Sequence, residues 1–400
     1  MKTLLKWALR LIALLVLLAA IIGVWKRAEI TRLMGVLDLF SAEKIVSNFS
    51  NMDQIFLHQL LPATREAPSP LPQGTPATLP TAVDDWIKER SVTALVVLKD
   101  GQVVFEEYFQ GTGPEDLRIN WSISKSYLSA LFGVLLAEGV FDSIDDPVVK
   151  YVPALANSAY AQASIKDVLQ MQSGVSFNED YLDFFSDINR MGRVLAVGQS
   201  MDAFAEAQNE SFAPPGIEWT YVSIDTHVIG MVIRGATGRS IHDLMREKIL
   251  APLSLQATPY YLTDGFGTAF VLGGLNTTTR DNARFGQMFA NGGEWNGRQV
   301  VPRDWVETST RASAQTEPGK IGYGYQWWIP AGSVPGQFLG RGIYGQYLYI
   351  DQIIDVARTR RPVTKRGHLS PDRRKSGLIW KKTHPSMCLA VRCLRVRPPP

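Results

Sequence analysis

The sequence predicts an α+β fold: an antiparallel sheet flanked by helices, an all-helical lobe beside it, and a separate transmembrane helix at the N-terminus. Three observations carry this prediction. Residues 94–98 and 103–109 flank Asp100-Gly101 and read as two strands joined by a tight turn. Residues 127–136 are apolar nearly all round and the run ends at Gly139, the pattern of a helix central to a core. Residues 11–25 form an unbroken apolar run bounded by charge.

With 400 residues, 46% of them hydrophobic, the chain can bury a full core and does not have the composition of a disordered protein. Its charge is uneven. Of 41 Lys and Arg and 38 Asp and Glu, the last fifty residues hold 13 and 3, so that stretch is +10 and the preceding 350 residues, with 28 and 35, are −7. Both cysteines, Cys388 and Cys393, lie in the basic tail, which leaves the body without a disulfide framework or a thiolate metal site. The five histidines are scattered, with no His-Glu-x-x-His pattern, so neither a metal nor another cofactor is expected.

In chain order, the apolar run follows Lys2, Lys6 and Arg10 and precedes Lys26 and Arg27. Counted from Trp7, with Arg10 snorkelling, it supplies about the 17–20 residues that cross a hydrocarbon core. No small-x-small cleavage site follows, so residues 1–27 are expected to be an uncleaved membrane anchor. Basic residues at the short N-terminus favour a cytoplasmic tip, which would put the body on the periplasmic side of a bacterial inner membrane. Residues 28–82 read as a connecting region: amphipathic to residue 61, then six prolines in 62–80 forming an extended linker. The globular domain is expected over 83–350.

At the head of the apolar helix stands Ser122-Ile123-Ser124-Lys125. Positions i and i+3 share one helix face, so the Ser122 hydroxyl and the Lys125 amine can meet as nucleophile and base. Near a helix N-terminus the serine also gains from the macrodipole, and its N–H is free to hold an oxyanion. The spacing is short, however, and Ser41-Ala42-Glu43-Lys44 matches it too. Farther on, capping boxes at Ser164-Asp167 and Ser240-Asp243 start helices, the second stopping before Pro252. Helical periodicity runs over 226–236 and 278–290, and residues 340–350 read as a glycine-led strand.

Ser122-x-x-Lys125, Tyr221-Val222-Ser223 and the glycine turn at 340–345, in this order, resemble the serine β-lactamase and penicillin-binding-protein superfamily. The likeness covers roughly 83–350 and is strongest to its class C-like branch of esterases, D-amino-acid peptidases and 6-aminohexanoate-dimer hydrolases. Residues 165–169, Ser173-Gly174, 273–276 and 323–328 add to it. The resemblance implies a β-lactamase/transpeptidase-like fold and acyl transfer through a covalent acyl-serine. In it Lys125 is the base, Tyr221 relays the proton to the leaving group, and the oxyanion sits between the N–H groups of Ser122 and Ile343, next to Gly342.

Departures from the family pattern bear on the substrate. Where β-lactamases carry Lys-Thr-Gly, this chain has Gly340-Arg341-Gly342, so the usual ammonium for a substrate carboxylate is missing. Arg341 is either a replacement for it or a solvated, structurally paired arginine. The second motif ends in Ser223 in place of the frequent Asn, a smaller group without a paired donor and acceptor. Tyr181 matches a second tyrosine of the 6-aminohexanoate-dimer hydrolases that contacts the scissile amide, or else packs on Phe184 and Phe185. A small-molecule ester or linear amide is the expected substrate. The alternatives are a β-lactamase or D-amino-acid peptidase, a non-catalytic binder of cell-wall peptide, and an inactive paralogue. His227 reads as a packing residue, and the Trp327-Trp328 pair as either pocket lining or core.

Residues 351–400 depart from the family pattern, in which two more strands and a long helix follow. They read as a basic appendage suited to anionic lipid or nucleic acid, or as the product of a shifted reading frame or a disordered tail. The abrupt change inside an expected sheet favours a frame shift near codon 351, and no nucleic-acid partner is expected. On this reading the domain is incomplete at its C-terminal end, and the sheet lacks neighbours beyond Ile350.

Overall fold

The computed structural model describes residues 2–62, 67–352 and 387–393, the last segment by its backbone. Helix α1 (Lys2–Trp25) is apolar along its length and buried nowhere against the protein, with the length and composition of a membrane anchor or a signal sequence. One residue later the chain resumes as α2 (Arg27–Leu37), then α3 (Ile45–Ser50) and strand β1 (His58–Leu60).

This stretch, expected as an amphipathic connecting region, packs its apolar face into the body. Leu39, Ile45, Phe49, Met52, Phe56 and Leu61 are buried in the main core, and Arg32 Nε donates to the Ala196 carbonyl at 2.7 Å. The proline-rich stretch is also fastened to the body. Gly74 and Ala77 donate backbone bonds to Val103 and Val104, and the Ser69 carbonyl accepts two bonds from Arg284. Proline fixes extended backbone, and extended backbone can lie along a sheet as readily as it can span a gap.

Helix α4 (Thr81–Glu89) precedes the expected hairpin, β2 (Val92–Lys99) and β3 (Gln102–Tyr108). Asp100 and Gly101 turn it with φ of 53° and 75°, the left-handed pair that suits the twist of the two strands. β2 is buried on both faces. Val92, Leu95 and Val97 pack with Val83, Trp86 and Ile87 of α4, while Val96 and Leu98 enter the main core. After β4 (Arg118–Ile119) comes α5 (Ile123–Ala137), buried from Ile123 to Leu135. A Cβ on Gly133 would lie 2.2 Å from the Trp305 ring, so this glycine is what lets the two approach.

The helical lobe holds α6 (Ile165–Leu169), α7 (Asp187–Ala196), α8 (Met201–Glu206), α9 (Ser223–Thr237) and α10 (Ile241–Met245). Both expected caps form: Ser164 and Ser240 accept from the N–H groups of Asp167 and Asp243. The second helix passes its expected stop, continuing through a π-helical turn (Arg246–Leu250) into α11 (Ala251–Leu253). The helix ends two residues past Pro252, at its C-cap Ser254, whose φ of 46° is left-handed.

The remaining elements are β5 (Tyr260–Leu262), β6 (Leu275–Thr277), α12 (Thr279–Ala290), β7 (Glu294–Trp295), β8 (Arg298–Gln299) and α13 (Arg303–Ser309). They are followed by β9 (Gly322–Tyr323), β10 (Trp328–Ile329), β11 (Gln337–Gly342), β12 (Gln346–Asp351) and β13 (Met387–Cys393). The main sheet is antiparallel with seven strands in the order β3-β2-β13-β12-β11-β10-β9. A second antiparallel sheet has the order β1-β5-β6-β4. α12 and α5 pack on the main sheet.

Two expectations change here. Residues 340–350 are not one strand but the end of β11, a turn at Ile343-Tyr344-Gly345, and β12. Tyr344 and Gly345 take φ of 58° and 72°, which reverses the chain. The expected lack of sheet neighbours beyond Ile350 is also corrected, because β13, from the basic tail, pairs with β12 on one side and β2 on the other. The expected frame shift or disorder concerns mainly 353–386 and 394–400, which lie outside the described residues.

Candidate active site

Ser122 is the N-cap of α5, and its side chain makes no capping bond, so the hydroxyl is free to point elsewhere. Its neighbour Trp121 takes φ of 44°, a left-handed conformation costly for a bulky residue. Aromatic packing holds it, with the Phe40 and Phe49 rings 5.8 and 5.7 Å away. The N-terminal segment thus braces the turn that aims the serine.

Lys125, one helical turn on, is fully buried. Its Nζ lies 3.1 Å from Ser122 Oγ and 3.4 Å from Ser223 Oγ, and donates to the Leu272 carbonyl at 2.7 Å. Burial lowers its pKa from 10.5 to about 7, against the opposing pull of Glu179 and Asp225. A lysine so placed is partly neutral near pH 7 and can accept the serine proton. Ser41 and Lys44 form no comparable pair, since Lys44 is an exposed partner of Asp38.

Tyr221 reaches the same volume from the loop before α9. Its hydroxyl lies against those of Ser122 and Ser223, its ring faces Lys125 Nζ at 5.4 Å, and Trp328 stacks on it at 5.1 Å. Burial, reinforced by the Glu179 charge, pushes its pKa well up, so the residue remains a phenol. A phenol can pass a proton on but is a poor resting base. Trp327 is fully buried in the core, so of the two tryptophans only Trp328 belongs to the site.

The sequence reading missed Glu179. Its Oε1 accepts the Ser223 N–H at 2.5 Å, at the first residue of α9, and its Oε2 accepts from the Tyr181 hydroxyl at 3.4 Å. Burial raises its pKa, while Lys125 and the Ser223 bonds pull it down. Asp225, also missed, accepts from Tyr160 and Ser173 at 2.7 and 2.8 Å, and burial pushes it up to about 8. The two carboxyls lie behind the lysine and set its electrostatic surroundings.

Gly342 brings the end of β11 close to the turn that precedes Ser122, since a Cβ there would sit 2.9 Å from the Asn120 carbonyl. Ile343 follows as the first turn residue and lines the same cavity as Ser122. Among the turn and loop hydrogen bonds of the described residues, neither the Ser122 nor the Ile343 N–H is a donor. Arg341 is exposed, with its guanidinium 5.5 Å from the Trp328 ring centre and its charge felt by Tyr221. His227 lies apart, paired with Asp202 at 2.8 Å. Among the described residues no cluster of three or more His, Cys, Asp or Glu could hold a metal.

A cavity of about 270 Å³ opens on Ser122, Tyr181 and Ser223. Its walls are largely apolar and include Phe40, Leu182, Phe184, Phe270 and Leu272. Tyr181 therefore borders the cavity, while Phe184 and Phe185 pack edge to face on each other.

A serine beside a buried lysine and a tyrosine, in this fold, defines a serine hydrolase. The chain belongs to the Beta-lactamase family, which matches residues 83–360. It is 31% identical over 287 residues to the 6-aminohexanoate-dimer hydrolase of Paenarthrobacter ureafaciens, covering 68% of this chain and 73% of that one. Among solved structures it is similar to a Bacillus anthracis protein provisionally described as a 6-aminohexanoate-dimer hydrolase, with TM-score 0.72, 22% identity and 89% of each chain covered. It also resembles the octameric penicillin-binding protein homologue from Pyrococcus abyssi, with TM-score 0.53, 22% identity, 68% of this chain and 69% of that one covered.

Proposed function

We propose that the protein is a membrane-anchored hydrolase of small esters or linear amides, with its catalytic body on the periplasmic side of a bacterial inner membrane. The observation that carries the chemistry is the 3.1 Å approach of Lys125 Nζ to Ser122 Oγ inside a buried, apolar setting. Lys125 accepts the serine proton as Oγ bonds to the substrate carbonyl carbon. The resulting oxyanion is held by the Ser122 and Ile343 N–H groups. Collapse breaks the C–O or C–N bond, and Tyr221 passes a proton to the departing alcohol or amine. Water, deprotonated through the same groups, then frees the carboxylic acid and restores Ser122.

Several features support the substrate class. No lysine stands at the Gly340-Arg341-Gly342 position, and the exposed Arg341 makes no ion pair among the described residues. Tyr181 and Ser223 face the cavity and can contact the linkage to be cleaved. The name of the Paenarthrobacter relative points to a linear amide. Apolar α1 supports anchoring, and the basic residues at its start support the orientation. The test compares p-nitrophenyl esters and 6-aminohexanoate dimer with nitrocefin. Turnover of an ester or linear amide well above that of nitrocefin is the expected result. Nitrocefin turnover at a comparable rate would assign the protein as a β-lactamase.

A further inference from the structure

We propose that the substrate is amphiphilic and is taken from the surface of a bilayer, its apolar chain lying in the cavity between Ser122 and the segment that follows α1. The proposal rests on the hydrolase reading and on α1 as an anchor. α1 ends at Trp25 and Lys26 follows it, with Lys26 Nζ 4.7 Å from the Trp25 ring centre, an aromatic and basic pair suited to a headgroup layer. The next helix, α2, is 11 residues long, about 16 Å at the helical rise. Its last turn supplies Val36 and Leu37 to the cavity wall, followed by Leu39 and Phe40. The acyl site therefore begins one short helix away from the membrane end of the anchor.

An apolar path joins the two. Ile30, Met34 and Leu37 fall at helical spacing on α2 and are 47%, 61% and 54% exposed, forming an exposed apolar stripe that runs to the cavity, whose wall includes Leu37. Across the mouth, Leu182 and Phe184 line the cavity while remaining 85% and 51% exposed, and Phe185 beside them is 82% exposed. An aqueous enzyme for a polar substrate gains nothing from this rim. A lipid-facing one gains contact with the bilayer and shelter for an acyl chain on its way to Ser122.

The test uses the full chain in phosphatidylcholine vesicles, with p-nitrophenyl acetate in solution and p-nitrophenyl dodecanoate in the bilayer. Each buried methylene adds binding, so kcat/KM for dodecanoate should exceed that for acetate by about tenfold or more. Met34→Asp with Phe185→Asp, which face the bilayer and do not line the cavity, should cut dodecanoate turnover several-fold and leave acetate turnover unchanged. Ser122-dependent acetate hydrolysis with no preference for the longer chain would overturn the proposal and leave the hydrolase reading intact. Unaltered dodecanoate turnover in the double variant would overturn it too, and loss of a dimer in that variant would then assign the stripe to a second copy. Failure to hydrolyse either ester, with no labelling of Ser122, would overturn the hydrolase reading itself.

Discussion

Glu179 Oε1 accepts the backbone N–H of Ser223 at 2.5 Å, which places a carboxylate at the positive end of α9 and against the Lys125 pocket. The bond fixes Ser223, whose hydroxyl lies 3.4 Å from Lys125 Nζ. Glu179 also favours the ammonium form of Lys125. Glu179→Gln should therefore lower the lysine pKa and move the acid limb of kcat/KM to lower pH. A pH profile of the variant checks this, and an unmoved limb would show that the carboxylate does not tune the base.

In the wild-type protein, kcat/KM should rise with pH through about 7 as Lys125 loses its proton. Its folded pKa lies below the ordinary 10.5, so between these values the unfolded chain binds more protons than the folded one. Stability from this group consequently increases as pH rises through that window. Lys125→Met should cost about a hundred- to ten-thousand-fold in kcat and should melt no lower than wild type at pH 6, where the buried amine carries charge. Activity retained in this variant, or a clearly lower melting temperature at that pH, would contradict the assignment.

The meeting of Ser122 with Lys125 was legible in the sequence because the contact is local, one helical turn apart, and Tyr221 and Ser223 stood out because they lie in a compact motif. Glu179 was not. In Asn178-Glu179-Asp180 it looks like any solvated loop acid, and its burial depends on the N-terminus of α9, 44 residues away. The same holds for Phe40 and Phe49, which read as an amphipathic connector until Trp121 and Tyr344 supply their partners. The seven residues of β13 carry too short a pattern to stand out in a basic tail. The strand is specified by the gap between β2 and β12. The strand signal at 340–350 was real, but its reversal at Tyr344 rests on one left-handed residue before Gly345.

Because Phe49 is buried against Trp121, the N-terminal segment should behave as part of the folding unit. Phe49→Ala should destabilise the protein by about 3–5 kcal/mol. Chemical denaturation measures this. A change below about 1 kcal/mol would mean that the segment is detachable.

Gly133 gives an independent check on the core. With Trp305 ring atoms 2.2 Å from the site of a Cβ, Gly133→Ala must move α5 or the indole, at a cost of about 1–3 kcal/mol. The melting temperature should fall while kcat per labelled Ser122 stays near wild type. An unchanged melting temperature would place the two elements farther apart.

A chain ended at Gln352 loses β13 and leaves β2 and β12 with open edges in the middle of the main sheet. It should aggregate or unfold at temperatures the full chain withstands, as read by size-exclusion chromatography and melting. A soluble, equally stable truncated protein would contradict the strand order.

The central claim is that Ser122 is the nucleophile, and covalent labelling measures it most directly. A fluorophosphonate probe followed by peptide mass spectrometry should find the phosphonyl adduct on Ser122 in the wild-type protein and no adduct in Ser122→Ala. An adduct that persists in that variant, on Ser41 or any other residue, would contradict the account.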